Sequence, residues 1–404
     1  MTMDAKSMAN KFYEVFDFCT AGMAPPNRLI FGCGAIEQIG SEAAKLATGK
    51  VLLVSDSTLE QIGVVGRVAD SLSSAGLQST SFAEVEPEPH LETVETLYEK
   101  CRSEGCALVI GVGGGSVMDV AKLTAQSAVR GASPRDYIDG KVSAESRGLP
   151  LILAPTTAGT GSEVSPNVVL DAGEEKRFLN SSFFYPDIGL VDPLLTLSMP
   201  RRITAMTGID AVSHAIEGVL HKQANPFNTA FALTGIELAG KYLRRAVADG
   251  EDLEARYYMA MSSTLCMMAM AMTRAGYAHS AAYVIAKYKH SPHGLTCGLA
   301  LPYAMAFNLP VCVEPLARIG EALGEKTWML SRLDAAHLAV QAVANLMEDV
   351  GLPVTLEEFG GIDEANLEDM ADMMIKLYHR PQNPRPMGRE ESVQFWQNMW
   401  DGIF

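Results

Sequence analysis

The chain has 404 residues, enough to bury two sizeable cores. Its 48% apolar and 20% charged content is that of a globular protein, which excludes a disordered chain. A net charge of −16 argues against a nucleic-acid partner, although a local pocket can still take a small anion.

The first residues contain Asp4, Glu14 and Asp17 and no basic region before an apolar stretch, so no signal peptide is read there. Phe12–Phe18 reads as an extra edge strand without a local partner, suited to pairing across a homodimer. Residues 51–56 read as a buried parallel strand, followed by a helical stretch from Val65 to Ala75. Ala107–Val112 is a second such strand. It enters Gly113-Gly114-Gly115-Ser116 and then a helical Val117–Ala128. Leu149–Ala154 is a third, running into Thr156-Thr157-Ala158-Gly159-Thr160-Gly161-Ser162. Strands alternating with helices predict a parallel α/β sheet. Beyond Pro193–Pro200 the β-rich runs nearly vanish, and 203–222, 227–248, 253–273 and 334–350 read as helices. A boundary near 197 divides the chain into an α/β domain, 1–197, and a helical domain, 198–404. Leu265–Met272, the longest apolar run of note, is too short to span a bilayer, so no membrane partner is expected. Cys19, Cys33, Cys101, Cys106, Cys266, Cys297 and Cys312 are scattered and include no CxxC pair, which points away from disulfides and toward a cytoplasmic setting.

The glycine run after the second strand lets backbone approach a pyrophosphate, and the helix it opens favours negative charge. Ser116 can cap that helix or donate to phosphate. The hydroxyl-rich loop from Thr156 sits at a neighbouring strand end, where ligands of open sheets gather. Asp56 can accept hydrogen bonds from a ribose diol and repel a 2′-phosphate, favouring NAD over NADP; the simpler reading is a helix N-cap. In the second half, Asp210 and His214 are four residues apart and share a helical face. His279 and His293 could complete a cage of three imidazoles and a carboxylate, a set that suits Fe²⁺ or, alternatively, Zn²⁺.

Gly-x-Asp-Ala-x-x-His at 208–214, Ala-His279, Pro-His293-Gly, the Gly-Gly-Gly-Ser run and Thr-Thr-Ala-Gly-Thr-Gly-Ser-Glu together resemble the iron-containing (group III) alcohol dehydrogenase family. The resemblance runs from about Phe31 to Arg385. It implies a Rossmann-like N-terminal domain, an all-α C-terminal domain of dehydroquinate synthase-like architecture, and a cleft between them. It implies metal ligation by Asp210, His214, His279 and His293. It places NAD(H) against Asp56, Gly113, Gly114, Gly115, Ser116, Thr156 and Thr157, with Asp119, Thr160, Lys176 and Leu195 near it. The implied reaction is hydride exchange between NAD(H) and a small alcohol or aldehyde beside a divalent ion.

Several positions depart from the family pattern. Tyr283 stands where a histidine is usual, and either joins a proton relay or lines the pocket. His290 matches no ligand position. Arg274, His379 and Arg380 add potential cations around the pocket, to which Asn167 and Met270 are also assigned. Arginine's planar fork matches an oxyanion. The preferred substrate is therefore an anionic aldehyde, with reduction of sulfoacetaldehyde to isethionate the leading case. On a straight helix Arg274 would lie about 140° from His279, so only a break near Gly276 brings both to the cleft. Alternatives are a neutral short-chain alcohol or diol dehydrogenase, a dehydroquinate synthase-type lyase, and a non-catalytic metal-binding protein. A homodimer or higher homo-oligomer is expected.

Overall fold

The computed structural model describes residues 26–173 and 175–404. The expected strand at Phe12–Phe18 lies outside the described residues.

Six strands form one parallel sheet: β1 (Arg28–Phe31), β2 (Lys50–Val54), β3 (Ser79–Phe82), β4 (Cys106–Gly113), β5 (Leu151–Pro155) and β8 (Ile188–Val191). Their order is β1-β8-β5-β4-β2-β3. A separate antiparallel hairpin joins β6 (Asn167–Ala172) to β7 (Glu175–Asn180). Helices α1 (Ile39–Leu46), α2 (Ser57–Gln61), α3 (Val64–Ser74), α4 (Leu91–Ser103), α5 (Gly115–Arg130) and α6 (Pro134–Ile138) connect the strands. Alternation along a strand sends successive side chains to opposite faces. Val51 and Leu53 accordingly enter one apolar cluster, and Leu52 and Val54 another, so the sheet is covered on both sides.

Helices account for the regular structure after residue 200, apart from short 3₁₀ turns: α7 (Arg201–Leu220), α8 (Pro226–Ala248), α9 (Leu253–Ala271), α10 (Tyr277–Tyr288), α11 (His293–Asn308), α12 (Val313–Ala322), α13 (Arg332–Asp349), α14 (Leu356–Phe359), α15 (Leu367–Leu377) and α16 (Arg389–Asp401). α7 is buried continuously from Gly208 to Leu220. A helix buried on every side sits at the centre of its bundle, and this one carries Asp210, His214 and Glu217 inward. The segment His293–Val311 has the length and apolarity of a membrane span, unlike the shorter Leu265–Met272, and 72% of its apolar window is buried inside the protein.

A buried polar contact joins the two halves. Thr264 on α9 donates its hydroxyl to Glu163 at 3.0 Å. Arg256, also on α9, is fully buried and donates to Thr204 Oγ1 at 2.7 Å and the Met199 carbonyl at 3.2 Å. These bonds anchor the connection that leads from the sheet into α7.

Candidate active site

β2 leads to Asp56 and β4 into the Gly113–Gly115 turn, and the strand order reverses between these two neighbours. Open parallel sheets take ligands at such a reversal, beyond the carboxyl ends of the strands. Gly113 is required by close approach: a Cβ there would lie 2.5 Å from Val117 Cγ2. α5 therefore starts at once, with no side-chain cap. Its first N–H groups and positive dipole end remain suited to a phosphate.

The second loop is bonded to the first, Thr156 N–H donating to the Gly113 carbonyl at 3.0 Å. Thr160 packs where a Cβ on Gly115 would meet it at 2.9 Å. Thr157 Oγ1 is buried without a hydrogen-bond partner among the described residues. Ser116 Oγ accepts the Glu88 N–H at 3.2 Å, and the Glu88 carboxylate pairs with Lys176 at 3.0 Å. Leu195 is buried in the core beneath the sheet. Asp56 does cap α2, accepting the Leu59 N–H at 3.0 Å through Oδ1. Asp119 binds the loop to the hairpin: it accepts the Ser162 hydroxyl at 2.6 Å and the Val169 N–H at 2.9 Å. Asn167 sits in the same network, its carbonyl accepting from the buried Lys122 Nζ at 2.8 Å.

Asp210 and His214 lie one turn apart on α7, with Asp210 Oδ1 3.7 Å from His214 Nε2. The His214 and His279 rings stack at 5.3 Å, and those of His279 and His293 meet edge-on at the same separation. A close approach brings α11 against α7: a Cβ on Gly294 would lie 2.5 Å from the Met206 carbonyl oxygen and 2.9 Å from Asp210 Cβ. One donor atom each from Asp210, His279, His293 and Cys297 lies within 4.8 Å of the others, and His214 stands beside this group. Asp210 Oδ1 is buried and accepts no hydrogen bond among the described residues. An uncompensated buried anion is costly, so convergent imidazoles around it fit a divalent cation by donor type. Burial drives His293 down to about 3, with the neighbouring Lys176 cation adding to it and Asp210 opposing. Burial also lowers His214, against the pull of Asp210. Both rings are thus neutral near pH 7, as metal ligation requires.

Glu217, absent from the residues singled out in the sequence, is next in this stripe, seven positions beyond Asp210 on α7. Its Oε2 meets His279 Nδ1 at 2.5 Å, and its Oε1 accepts the Ala278 N–H at 2.7 Å. It thereby fixes the His279 ring and supplies an acceptor to the start of α10, whose own N-cap, Gly276, offers none. Burial pushes the Glu217 carboxyl up, but His279, a backbone hydrogen bond and Arg380 outweigh it and hold it at about 2. Cys297, one turn after His293 on the same helix, also stands in this group, a spacing visible in the sequence.

Tyr283 lies on α10 one turn after His279. Its ring stacks on His293 at 5.6 Å and packs near Tyr378 at 5.4 Å. Burial pushes its phenol up, Arg380 opposing, so the group stays a hydroxyl and can donate. Arg380 lies 6.0 Å from the Tyr283 ring centroid and donates Nε–H to Ser280 Oγ at 2.8 Å. The helical path does break before His279: α9 ends at Ala271 and α10 starts after Gly276. Arg274 is nevertheless exposed, as is His379. Met270 is buried against Val164 and Met267. His290 is exposed and lies 3.4 Å from the Glu88 carboxylate.

Residues 26–193 match the family described as iron-containing alcohol dehydrogenase, and residues 204–400 match the C-terminal part of the Fe-containing alcohol dehydrogenase family. Long-chain-alcohol dehydrogenase 1 of Geobacillus thermodenitrificans is 39% identical over 84% of this chain and 86% of its own. The structure of a 1,3-propanediol oxidoreductase matches with a TM-score of 0.90 and 34% identity, covering 95% of this chain and all of that one. A sulfoacetaldehyde reductase from Bifidobacterium kashiwanohense, solved with NAD⁺, matches with a TM-score of 0.85 and 28% identity, covering 94% and 99%. The chain belongs to the iron-containing alcohol dehydrogenase family and is an NAD-dependent alcohol dehydrogenase.

Proposed function

We propose that this enzyme interconverts a small anionic aldehyde and its alcohol, with sulfoacetaldehyde and isethionate the leading pair. The observation that carries the anionic tail is Arg380. It lies 6.0 Å from the ring centroid of Tyr283, whose ring stacks on His293. Among the described residues no carboxylate forms an ion pair with it. A guanidinium so placed can give a sulfonate or carboxylate two parallel hydrogen bonds.

Asp210, His214, His279 and His293 are proposed to hold the metal. When bound, that ion supplies Lewis acidity toward the reacting oxygen and the nicotinamide exchanges the hydride. The chain's own residues do the rest. The uncapped start of α5 and the Gly113–Ser116 turn hold the pyrophosphate. Thr157 Oγ1 offers an unused hydroxyl beside it. Glu217 keeps His279 in one orientation. Tyr283 lines the pocket with a protonated hydroxyl available to the substrate oxygen.

Arg380→Gln is expected to raise KM for a sulfonated aldehyde by roughly 10- to 100-fold, the worth of a charge-assisted hydrogen bond, and to change KM for propanal by about threefold or less. Adding Arg274→Gln should contribute little, since that side chain is exposed. Equal effects on the two aldehydes would remove the anionic reading. A neutral alcohol or diol is then the substrate, which the exposed positions of Arg274 and His379 favour.

Asp56 has a second expected role, at the ribose. Asp56→Ser preserves an N-cap acceptor for α2 but removes the carboxylate. The ratio of NADPH-dependent to NADH-dependent kcat/KM should rise about tenfold or more, with thermal stability nearly unchanged. An unchanged ratio would leave Asp56 as a helix cap alone.

A further inference from the structure

Cys297 lies four residues beyond His293 on α11, so both side chains share one helix face. The cysteine is fully buried, and its Sγ stands 3.3 Å from His293 Nε2. Zinc holds sulfur at about 2.3 Å and imidazole nitrogen at about 2.0–2.1 Å. Two such donors on one ion stand roughly 3.1–3.6 Å apart, for bond angles between octahedral and tetrahedral. The observed separation falls within that span. The same sulfur belongs to the group whose donor atoms all lie within 4.8 Å of one another, with Asp210, His279 and His293. A second observation is independent of the cysteine. Asp210 Oδ1, buried in the same cluster, accepts no hydrogen bond among the described residues. The space between these side chains therefore holds an anionic donor that a cation would complete.

We propose that Cys297 is a sulfur donor to the metal of this site, in addition to Asp210, His214, His279 and His293. The inference rests on the metal reading given above. Ligation replaces the S–H bond with a metal–sulfur bond and releases the proton to water, with no change of oxidation state. A thiolate makes the donor set softer than nitrogen and oxygen alone, which moves its preference from iron(II) toward zinc. Equal loading with the two metals would then be met by unequal retention, zinc being held longer.

Cobalt(II) tests this without turnover. The full chain, stripped and loaded with cobalt(II) under nitrogen, is expected to show visible ligand-field bands and an intense near-ultraviolet sulfur-to-cobalt charge-transfer band. Cys297→Ser, the closest in volume, and Cys297→Ala should each lose the charge-transfer band and keep ligand-field bands. Ligand-field bands without charge transfer in the unmodified chain would overturn the proposal and leave the metal site standing. Persistence of the charge-transfer band in both variants would overturn it too. No cobalt spectrum at all would overturn both the sulfur donor and the metal reading. The unmodified chain's spectrum alone is decisive if a variant fails to fold.

Discussion

Asp210→Asn should lower kcat at saturating aldehyde by at least about 100-fold, because even outer partners of metal ligands change metal affinity or activity by 10- to 100-fold. NADH binding should change by about twofold or less, since the glycine turn lies at the end of β4 and not among the helices that carry Asp210. The variant separates function from stability. Asp210 is almost fully buried, with an oxygen that accepts no hydrogen bond among the described residues. Asparagine has nearly the same shape and no charge to desolvate. The metal-free variant is therefore expected to melt at the same temperature as the unmodified chain or above it. Stabilisation by added metal, which follows mass action in the folded state, should be lost. Calorimetric scans with and without metal check both halves. A variant that melts lower without metal, yet still gains stability from it, would contradict the assigned role.

Glu217→Gln tests the next layer. Glutamine can still accept the Ala278 N–H and reach His279 Nδ1, but it lacks the charge that favours a fixed N–H donor on that ring. Metal affinity should fall about 10- to 100-fold. Glu217→Ala should lose more, because it also strips the acceptor from the start of α10. Removing one partner of a buried pair costs about 3–5 kcal/mol. The pH dependence has a definite sign. The Glu217 carboxyl is held at about 2, below its ordinary 4.5. Its contribution is fully present above the ordinary value and is lost as pH falls toward 2. The stability difference between the unmodified chain and Glu217→Gln should shrink across that window. A difference that stays constant with pH would mean the carboxylate charge is not what matters.

Much of this arrangement was legible in residue order. Strands β2, β4 and β5 are continuous apolar runs because both of their faces are covered. The long helices announce themselves by length and periodicity. The short edge strands were not legible. β1 and β3 are four residues each, half exposed, and mixed in polarity, since only one edge of each is paired. The β6–β7 hairpin lies off the main sheet and carries charged side chains. At the site, spacing reveals Asp210 and His214 because one helix holds both. Glu217 lies seven residues beyond Asp210 on the same stripe, yet its role depends on α10 crossing that stripe, which spacing cannot give. Asp56 shows a related limit: a carboxylate at a strand end serves a helix cap and a ribose equally well in sequence. Arg274 and Arg380 looked alike as added cations. Only the path of the chain separates them, leaving the first exposed and turning the second toward Ser280 and Tyr283.

Hydride exchange with NAD(H) is proposed to occur at a metal held by Asp210 and its neighbouring histidines. Its most direct test is NADH absorbance with sulfoacetaldehyde, followed in enzyme stripped by chelator and then reloaded with iron(II) or zinc. Turnover should disappear on stripping and return on reloading in the unmodified chain, and should not return in Asp210→Asn. Undiminished turnover in the stripped enzyme, or full recovery in Asp210→Asn, would contradict it.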